Sequence, residues 1–457
     1  MKQVPVALIL LLFFSGCVSR SSDLQGVVEN RYVGANLRLG RIELAQGAKY
    51  AFEKCRIVLY EPLDIPTGCE VTFRDCKVEI RAAIECAAAS TLLLKASRVV
   101  LRSQIISAGN LVFSGSSIVI GQNVVERPRA EASLALCSGG CLTWMDAILD
   151  ARGARNVVIS STGAELHLAN MRVCTNAKLI EAKDTRLVMT GCDISGSVFE
   201  EDLLAQNGGD LQMSRVAFRE CRETGVMQKP PLVELAGKYQ PVRFMLVSVH
   251  NVRSACLARC TVSECFSFDS ESYHLAIMGE EVSIYGCLFA GADNTALVLA
   301  RGKRKVSFME NVIENACGTF AVTLDGQSIE ATGNKFEGGE TWFGMIRADG
   351  EKILFESNVV IAAKGLVIVD ITCKEVLLVD NTFSNCVALL APDPPLNAIV
   401  YLPECTKLRF EGNKFVSCRA RSAVSASPEC SPGDISTTNS FEKCSFSTLL
   451  VRYPEGK

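Results

Sequence analysis

Short runs in which apolar and polar residues alternate recur along most of the chain at a regular spacing. Each run has apolar residues at alternate positions, then a polar or small pair, then Asn or Cys, and another apolar residue two positions further on. Alternation of this kind predicts a half-buried β-strand rather than a helix. In the C-terminal half, the runs begin 24, 23, 24, 23 and 32 residues apart, at Val282, Val306, Ile329, Ile353, Val376 and Leu408.

The same frame extends through the N-terminal half of the chain. Its further copies begin at Tyr50, Val71, Leu92, Leu111, Leu166, Leu187, Leu211 and Ala255, and a final one begins at Asp434. A unit of about two dozen residues is too small to bury its own apolar face, so the units must stack to form a core. The spacing therefore predicts an all-β solenoid, a right-handed parallel β-helix of about 13–15 coils. A leucine-rich repeat would need its Leu-x-x-Leu-x-Leu frame, and a β-propeller would need blades of about 40 residues.

One position of the frame carries a residue column. It holds Cys or another small or apolar residue in the first nine copies and then Asn in six successive copies, at Asn311, Asn334, Asn358, Asn381, Asn413 and Asn439. Asn tolerates the left-handed backbone of a sharp corner, and its amide can both donate and accept between stacked turns. We therefore predict a structural asparagine ladder at one corner of the solenoid.

The breaks in the frame predict the domain boundaries. They predict a signal peptide over 1–22, an N-terminal cap over 23–49, the β-helix over 50–445 with loop excursions near 121–156, 222–254, 387–407 and 419–433, and a C-terminal tail over 446–457. Loops on a rigid scaffold are where binding usually takes place.

The N-terminus predicts export. A Lys at position 2, an apolar run from Val6 to Phe14 and the small residues Ser15 and Gly16 have the layout of a secretory signal peptide. The segment ending in Cys17 also resembles a bacterial lipobox, which would make Cys17 the site of lipidation. The alternative is ordinary cleavage just beyond this cysteine. We expect a periplasmic, surface or secreted protein that touches a membrane only through this possible lipid anchor.

Composition limits the other partners. The chain of 457 residues has a net charge of −3, 21 Cys and three His. The balanced charge gives no electrostatic footprint for nucleic acid. Metal sites favour Cys-x-x-Cys pairs or His clusters, and neither occurs, so no metal site or cofactor is predicted. The three histidines, His167, His250 and His274, are expected to be surface or packing residues.

Most cysteines fall into columns of the frame, at the Asn-ladder position and again five residues later. Such thiols would either pack as buried apolar groups or pair between adjacent turns. Both alternatives stay open. The candidate disulfide partners are Cys55 with Cys76, Cys260 with Cys287, Cys418 with Cys444, and Cys137 with Cys141 in a loop.

One charged constellation is a candidate binding site. Charged residues follow the later strand in successive coils, and a tryptophan lies near them in the sequence, so the predicted site comprises Arg301, Asp325, Trp342, Arg347, Asp349 and Asp370. Stacked acidic groups can hold Ca²⁺ or a sugar, and an aromatic ring can stack on a pyranose. The alternative is a solvated ladder of ion pairs that contributes little.

From about residue 50 to 445 the chain resembles the right-handed β-helix proteins of the pectin-lyase-like superfamily. The resemblance rests on the coil period and the asparagine column. The Phe-x-x-Asn runs at Phe308, Phe355 and Phe410 also resemble the repeats of chlamydial polymorphic outer-membrane proteins, although the companion Gly-Gly-Ala-Ile motif is missing. The superfamily includes polysaccharide lyases, glycoside hydrolases and surface adhesins.

The catalytic motifs of those enzymes are not found. The four polygalacturonase motifs are missing, and Trp144-Met145-Asp146 is followed by Ala147 where the pectate lyase signature has His. No catalytic residue is therefore predicted. We expect a non-enzymatic binding or adhesion module that contacts a carbohydrate or protein ligand along the rod face or its loops. The alternative is a polysaccharide lyase or hydrolase, and Ca²⁺ would be a cofactor only in that case.

Overall fold

The computed structural model describes residues 29–120, 133–137, 139–154, 157–199, 202–223, 232–235, 238–241, 243–265, 272–291, 296–388, 396–430 and 435–452. Successive strands pair in parallel with the equivalent strand one turn later, at offsets such as Asp325 with Asp349. The chain is a right-handed parallel β-helix, as the repeat predicted. Each turn has three faces, which we call face 1, face 2 and face 3 in the order in which the chain passes through them.

Face 1 begins as a series of short strands that bury every second side chain. In Lys49–Glu53, for example, Tyr50 and Phe52 point into the core. The separate strands of face 1 are Glu29–Val33, Lys49–Glu53, Glu70–Arg74, Thr91–Lys95, Asn110–Ser114, Cys141–Met145, Glu165–Ala169 and Lys407–Glu411.

Face 2 follows directly after the corner that carries the Asn and Cys column. Its strands, within the described residues, are Asn36–Leu39, Arg56–Leu59, Lys77–Ile80, Arg98–Leu101, Ser117–Ile120, Ile148–Ala151, Arg172–Thr175, Asp193–Ser195, Ala217–Arg219, Thr261–Ser263, Leu288–Ala290, Val312–Glu314, Lys335–Glu337, Val359–Ile361, Thr382–Ser384, Lys414–Val416 and Ser440–Glu442.

Face 3 completes each turn. Its separate strands are Ile42–Glu43, Leu63–Ile65, Ile84–Cys86, Ile105–Ser107, Leu134–Leu136, Ile159–Thr162, Ala398–Leu402, Ser422–Ala426 and Thr448–Arg452. In the middle of the chain, face 3 runs into face 1 as one long bent strand. These long strands are Ile180–Thr190, Leu204–Ser214, Arg243–Ala258, Ser272–Tyr285, Ala296–Met309, Cys317–Thr332, Glu340–Glu356 and Val369–Val379.

A few further short elements lie in the segments between the strands of the three faces. They are the strand pair Val198–Phe199 and Arg222–Glu223, the antiparallel hairpin Leu232–Leu235 and Lys238–Pro241, the strands Lys364–Gly365 and Val387–Ala388, and the helix Ile435–Thr438.

Aromatic side chains stack along the inside of the solenoid because register places the same position of each turn one above the next. Tyr32, Phe52 and Phe73 stack with ring centroids 5.0 and 5.1 Å apart. Phe383, Phe415 and Phe441 repeat this near the other end, at 4.9 and 5.0 Å. A centroid separation near the strand spacing is what in-register stacking requires.

The predicted domain boundaries differ from the structure at several points. The first described strands, from Glu29 to Glu43, pair with the next turn on all three faces, so the predicted cap contains a full turn. Thr448–Arg452 likewise pairs on face 3 within the predicted tail. The predicted excursions contain strands of the stack, namely Leu134–Leu136, Cys141–Met145, Ile148–Ala151, Arg243–Ala258, Ala398–Leu402 and Ser422–Ala426. The repeat frame was defined by the alternating runs of face 1, and it did not identify these strands.

The residues of the predicted signal peptide and Cys17 lie outside the described part of the chain, so export and lipidation stay predictions. No helix among the described residues has the length and apolar character needed to span a bilayer.

Candidate functional site

The corner between face 1 and face 2 places the Asn residues in one buried column. The backbone N–H and the side-chain Nδ2 of Asn334 both donate to Oδ1 of Asn358, at 3.0 and 2.9 Å, and Nδ2 also donates to the carbonyl of Phe308 at 2.7 Å. The same bonds recur at every step from Asn311 to Asn439. This column satisfies backbone groups of the corner and is not positioned to bind a ligand.

The backbone conformation at this corner differs from the expectation. The residue in the left-handed region is the one before the column, such as Glu310 or Ser357, with φ of 53° in both cases. The Asn residues themselves are not in that region, and glycine occupies the preceding position in five turns, at Gly115, Gly191, Gly286, Gly333 and Gly412. Asn is therefore selected by its hydrogen bonds and not by its backbone preference.

The described cysteines are free thiols in the structure. Several lie close to a neighbour: the backbone N–H of Cys55 donates to Sγ of Cys76 at 3.4 Å, and that of Cys260 donates to Sγ of Cys287 at 3.3 Å. Cys418 and Cys444 also interact through their side chains. Cys137 is exposed, and Cys141 begins a strand of face 1 instead of lying in a loop. All four proposed disulfides stay predictions.

The predicted charged site lies on the outside of face 3. Register aligns Arg301, Asp325 and Asp349 in one row across three turns. A second row, two residues earlier on each strand, aligns Thr323 with Arg347 of the next turn, and Asp370 and Tyr401 continue it in the turns that follow. We call the set Arg301, Asp325, Arg347, Asp349 and Asp370 the face-3 cluster.

A glycine bend positions the first row. Gly302, Gly326 and Gly350 follow the three charged residues directly and stack on one another where face 3 turns into face 1. A Cβ on Gly326 would lie 2.5 Å from the carbonyl oxygen of Gly302, and one on Gly350 would lie 2.3 Å from that of Gly326. Only glycine permits this close approach, so the bend fixes the charged side chains at the end of face 3.

Arg301 and Asp325 form the tightest pair of the cluster. The Arg301 guanidinium donates to Oδ2 of Asp325 through Nε at 2.6 Å and through Nη2 at 2.5 Å. Both side chains are largely buried, with 28% and 29% of their surface exposed. The geometry is that of a charge-assisted bond between two ions.

Asp370 is the least usual member. It is 4% exposed, and among the described residues its Oδ1 has no hydrogen-bond partner. Burial raises the pKa of Asp370 to about 6, Arg347 opposes this rise, and the charge of Asp349 adds to it. A buried carboxyl oxygen without a hydrogen-bond partner destabilises the folded protein. A residue that carries such a group is therefore a candidate for a functional role.

Neighbouring groups complete the surroundings. Burial raises the pKa of Asp349 too, and the adjacent Asp325 raises it further. The Arg347 guanidinium lies 5.5 Å from the ring centroid of Phe320, which in turn packs against Phe343 at 5.2 Å. Burial raises the pKa of Tyr401, with a further contribution from the charge of Asp370.

Trp342 is 79% exposed on the same strand as Arg347 and Asp349. It lies five residues before Arg347, and no contact between it and the cluster is found among the described residues. The structure thus brings together five of the six residues predicted for this site and separates the sixth.

Sequence reasoning missed Tyr401 and Phe320. Tyr401 lies beyond an insertion that interrupts the repeat, and Phe320 belongs to a strand segment that the frame did not include. Strand register is the signal that would have identified both residues, because each lies within one turn of Arg347 or Asp370.

The comparisons with known proteins agree with the fold. The model of the right handed beta helix region family matches residues 274–446, which include the cluster and the Asn column. This match is consistent with the pectin-lyase-like resemblance at the level of the fold, and the adhesin-type assignment stays a prediction.

No curated protein matches the chain. Among solved structures, it is similar to bacteriophage CBA120 tailspike protein 3, with 13% identity and a TM-score of 0.19 over 95% of this chain. The chain spans 61% of the length of that tailspike chain. The family-level result of these comparisons is therefore the sequence match to the right handed beta helix region.

Proposed function

We propose that this β-helix is an exported binding or adhesion module and that the face-3 cluster binds a carbohydrate. The observation that carries the proposal is Asp370, a buried carboxyl with a free oxygen and a raised pKa that lies in register beside Arg347. Carbohydrate recognition uses such groups, because sugar hydroxyls both donate and accept hydrogen bonds and can satisfy carboxyl and guanidinium groups together.

The charges favour a polyhydroxylated ligand over a cation. Arg301 occupies one oxygen of Asp325, and Arg347 lies in register between Thr323 and Asp370. Two guanidinium groups among three carboxylates oppose binding of Ca²⁺, which prefers a set of oxygen ligands only. The Arg347 guanidinium also lies over the ring of the buried Phe320, a contact that helps to position this cation.

The test is a binding measurement with a panel of oligosaccharides, by array screening and then by calorimetry on the hits. Arg347→Gln is expected to weaken binding by about tenfold or more, which corresponds to roughly 1.4 kcal/mol. Asp64→Asn is the matched control, since Asp64 is an exposed carboxylate on face 3 many turns away. Binding that is equal in both variants, or binding of a protein partner alone, would contradict the assignment to carbohydrate.

A second candidate function is cleavage of a polysaccharide, and the specific observation in its favour is the pair Asp349 and Asp370. Both carboxyl groups have raised pKa values, and such a group is the usual general acid in glycoside hydrolysis. The two residues lie on adjacent strands and two positions apart in register.

A depolymerisation assay on acidic and neutral polysaccharides, with and without Ca²⁺, separates the two functions. For an enzyme, Asp370→Asn should abolish turnover while binding of the substrate is retained. For a binding module, no wild-type turnover is found and the variant changes affinity only. Turnover by the wild type that Asp370→Asn eliminates would overturn the non-enzymatic proposal.

A further inference from the structure

Face 1 carries a second cluster of chemically active side chains, at a distance from the face-3 cluster. Cys141, Glu165 and His167 lie on two adjacent strands, and register pairs Cys141 with Glu165 and Thr143 with His167. The inward neighbours Leu142, Leu166 and Leu168 are buried, so alternation points the three active side chains outward.

The donor atoms of these three residues converge. The Cys141 Sγ, a Glu165 carboxylate oxygen and a ring nitrogen of His167 all lie within 4.8 Å of one another. His167 Nε2 is 3.3 Å from Oε2 of Glu165. Among the described residues this is the one set of three such side chains with this property.

We propose that Cys141, Glu165 and His167 form a binding site for a divalent transition metal, with Zn²⁺ as the best-matched ion. Thiolate, imidazole and carboxylate are the three side-chain ligands that zinc uses in proteins. Ligands of a tetrahedral zinc at about 2.0–2.3 Å from the ion lie roughly 3–4 Å apart, so these atoms need to move by only about 1 Å. Solvent takes the fourth position, as in zinc sites with three protein ligands.

The strand geometry explains why the site needs no Cys-x-x-Cys motif. Glu165 and His167 are two residues apart on one strand, which places both on the same side of the sheet. Cys141 joins them from the previous turn, 24 residues earlier in the chain. The parallel pairing thus replaces the short sequence spacing by which such sites are usually recognised.

Two neighbouring groups affect the affinity. Nη1 of Arg186, in the following turn, is 3.7 Å from Oε1 of Glu165 and competes with a cation for this carboxylate. Binding also removes the proton of the Cys141 thiol, so the affinity rises with pH. A Cys137–Cys141 disulfide would consume the thiol, and the reduced protein is therefore the form to test.

The experiment titrates the reduced full-length protein with Zn²⁺ by calorimetry and with Co²⁺ by absorption. The expected result is one bound metal per chain, with a near-ultraviolet charge-transfer band from thiolate to cobalt. Cys141→Ser should remove that band, and His167→Asn should weaken Zn²⁺ binding by more than about tenfold, the lower limit seen even for outer-shell partners. Arg186→Gln should strengthen binding.

Cys256→Ser is the matched control, because Cys256 is exposed on face 1 in the same register column as His167, three turns further on. It should leave binding and the cobalt band unchanged, and Cys137→Ser should do the same. A reduced protein that binds no Zn²⁺, a cobalt spectrum without a thiolate band, or an affinity that Cys141→Ser and His167→Asn leave unchanged would each overturn the proposal. Circular dichroism of each variant verifies that it is folded.

Discussion

Single residues of the corner column show how the sequence specifies this fold. Oδ1 of Asn358 accepts two hydrogen bonds from Asn334, and Nδ2 of Asn358 donates to the carbonyl of Ala331 at 2.8 Å and to Asn381 at 3.0 Å. All of these atoms are buried. Loss of the side chain leaves the N–H of Asn334 without a partner, and such a group costs more than an average hydrogen bond contributes.

We therefore predict that Asn358→Ala lowers the free energy of unfolding by about 2–4 kcal/mol. Urea denaturation followed by circular dichroism measures this as a lower midpoint. The control is Asn207→Ala, since Asn207 is exposed and, among the described residues, its side chain bonds only to that of Asn251. Equal midpoints for the two variants would show that the amide column adds no stability.

For Asp370 we make the opposite prediction, namely that loss of its charge stabilises the folded protein. Its folded pKa of about 6 lies above the ordinary 3.8, so the folded state holds its proton more tightly than the unfolded state does. Protonated Asp370 therefore contributes to the free energy of unfolding. This contribution is fully present below about pH 4, is lost as the pH rises through 6, and amounts to roughly 3 kcal/mol at most. Asp370→Asn should therefore raise the unfolding midpoint at pH 7.5 and leave it nearly unchanged at pH 4.

Paired denaturation curves of wild type and Asp370→Asn at the two pH values measure this effect. Asp64→Asn serves again as the control, because Asp64 is an exposed carboxylate on face 3 many turns away. A variant that is less stable at pH 7.5 would mean that the ionised carboxylate is held by favourable bonds. Asp370 would then be a structural residue, and the argument for a binding site would lose its main support.

At the scale of elements, the corner between faces 1 and 2 follows one rule, because three residue types accept the same backbone hydrogen bond there. The backbone N–H at this corner donates to the column side chain of the next turn. The acceptor is sulfur for Cys55, the Oγ of Ser97 for Cys76 at 3.1 Å, and Oδ1 of Asn311 for Cys287 at 2.9 Å. Thiol, hydroxyl and amide thus serve the same N–H group in different parts of the solenoid.

This rule predicts the outcome of substitutions at Cys76. Cys76→Ser should change the free energy of unfolding by less than about 1 kcal/mol, since serine occupies the next two positions of the column and accepts the same bond. Cys76→Val should cost about 1–3 kcal/mol, because it fills the space and leaves the N–H of Cys55 buried without an acceptor. Denaturation midpoints of the two variants provide the comparison, and a valine variant as stable as serine would contradict the rule.

The elements also show what the sequence can and cannot predict. The strands of face 1 could be predicted from the alternation of apolar and polar residues. The corner column could be predicted from Asn311 onward, because there the same residue type recurs at the repeat period. The strand Ile148–Ala151 was hidden by neighbouring insertions, which change the distance between copies. The set of Cys141, Glu165 and His167 was hidden because its members converge only through register, which no local pattern reveals. The face-3 cluster was found because its charged residues follow the later strand at an equivalent place in successive coils.

At the scale of the whole molecule, the predicted export through the N-terminal segment leads to a direct test. If Cys17 is lipidated, metabolic labelling with a fatty-acid analogue in a bacterial host should mark the protein, and Cys17→Ser should remove the mark and release the protein from membranes. If the segment is an ordinary signal peptide, the mature N-terminus found by mass spectrometry should lie beyond Cys17 and carry no lipid. A full-length chain that keeps its first residues would contradict both forms of export.

The pairing of each turn with only its two neighbours has a mechanical consequence. When such a stack is held at its ends, the load passes through its turns in series, because strand pairing among the described residues joins each turn to its neighbours. Pulled from its C-terminus, the chain should yield one turn at a time. Each step should add roughly 80 Å of contour length, the reach of the 24 residues between equivalent positions such as Asp325 and Asp349. In a force-extension trace, the asparagine turns should resist more strongly than the turns with Ala147, Met171 or Val216 at the same corner, where the side chain offers no amide to the neighbouring turn.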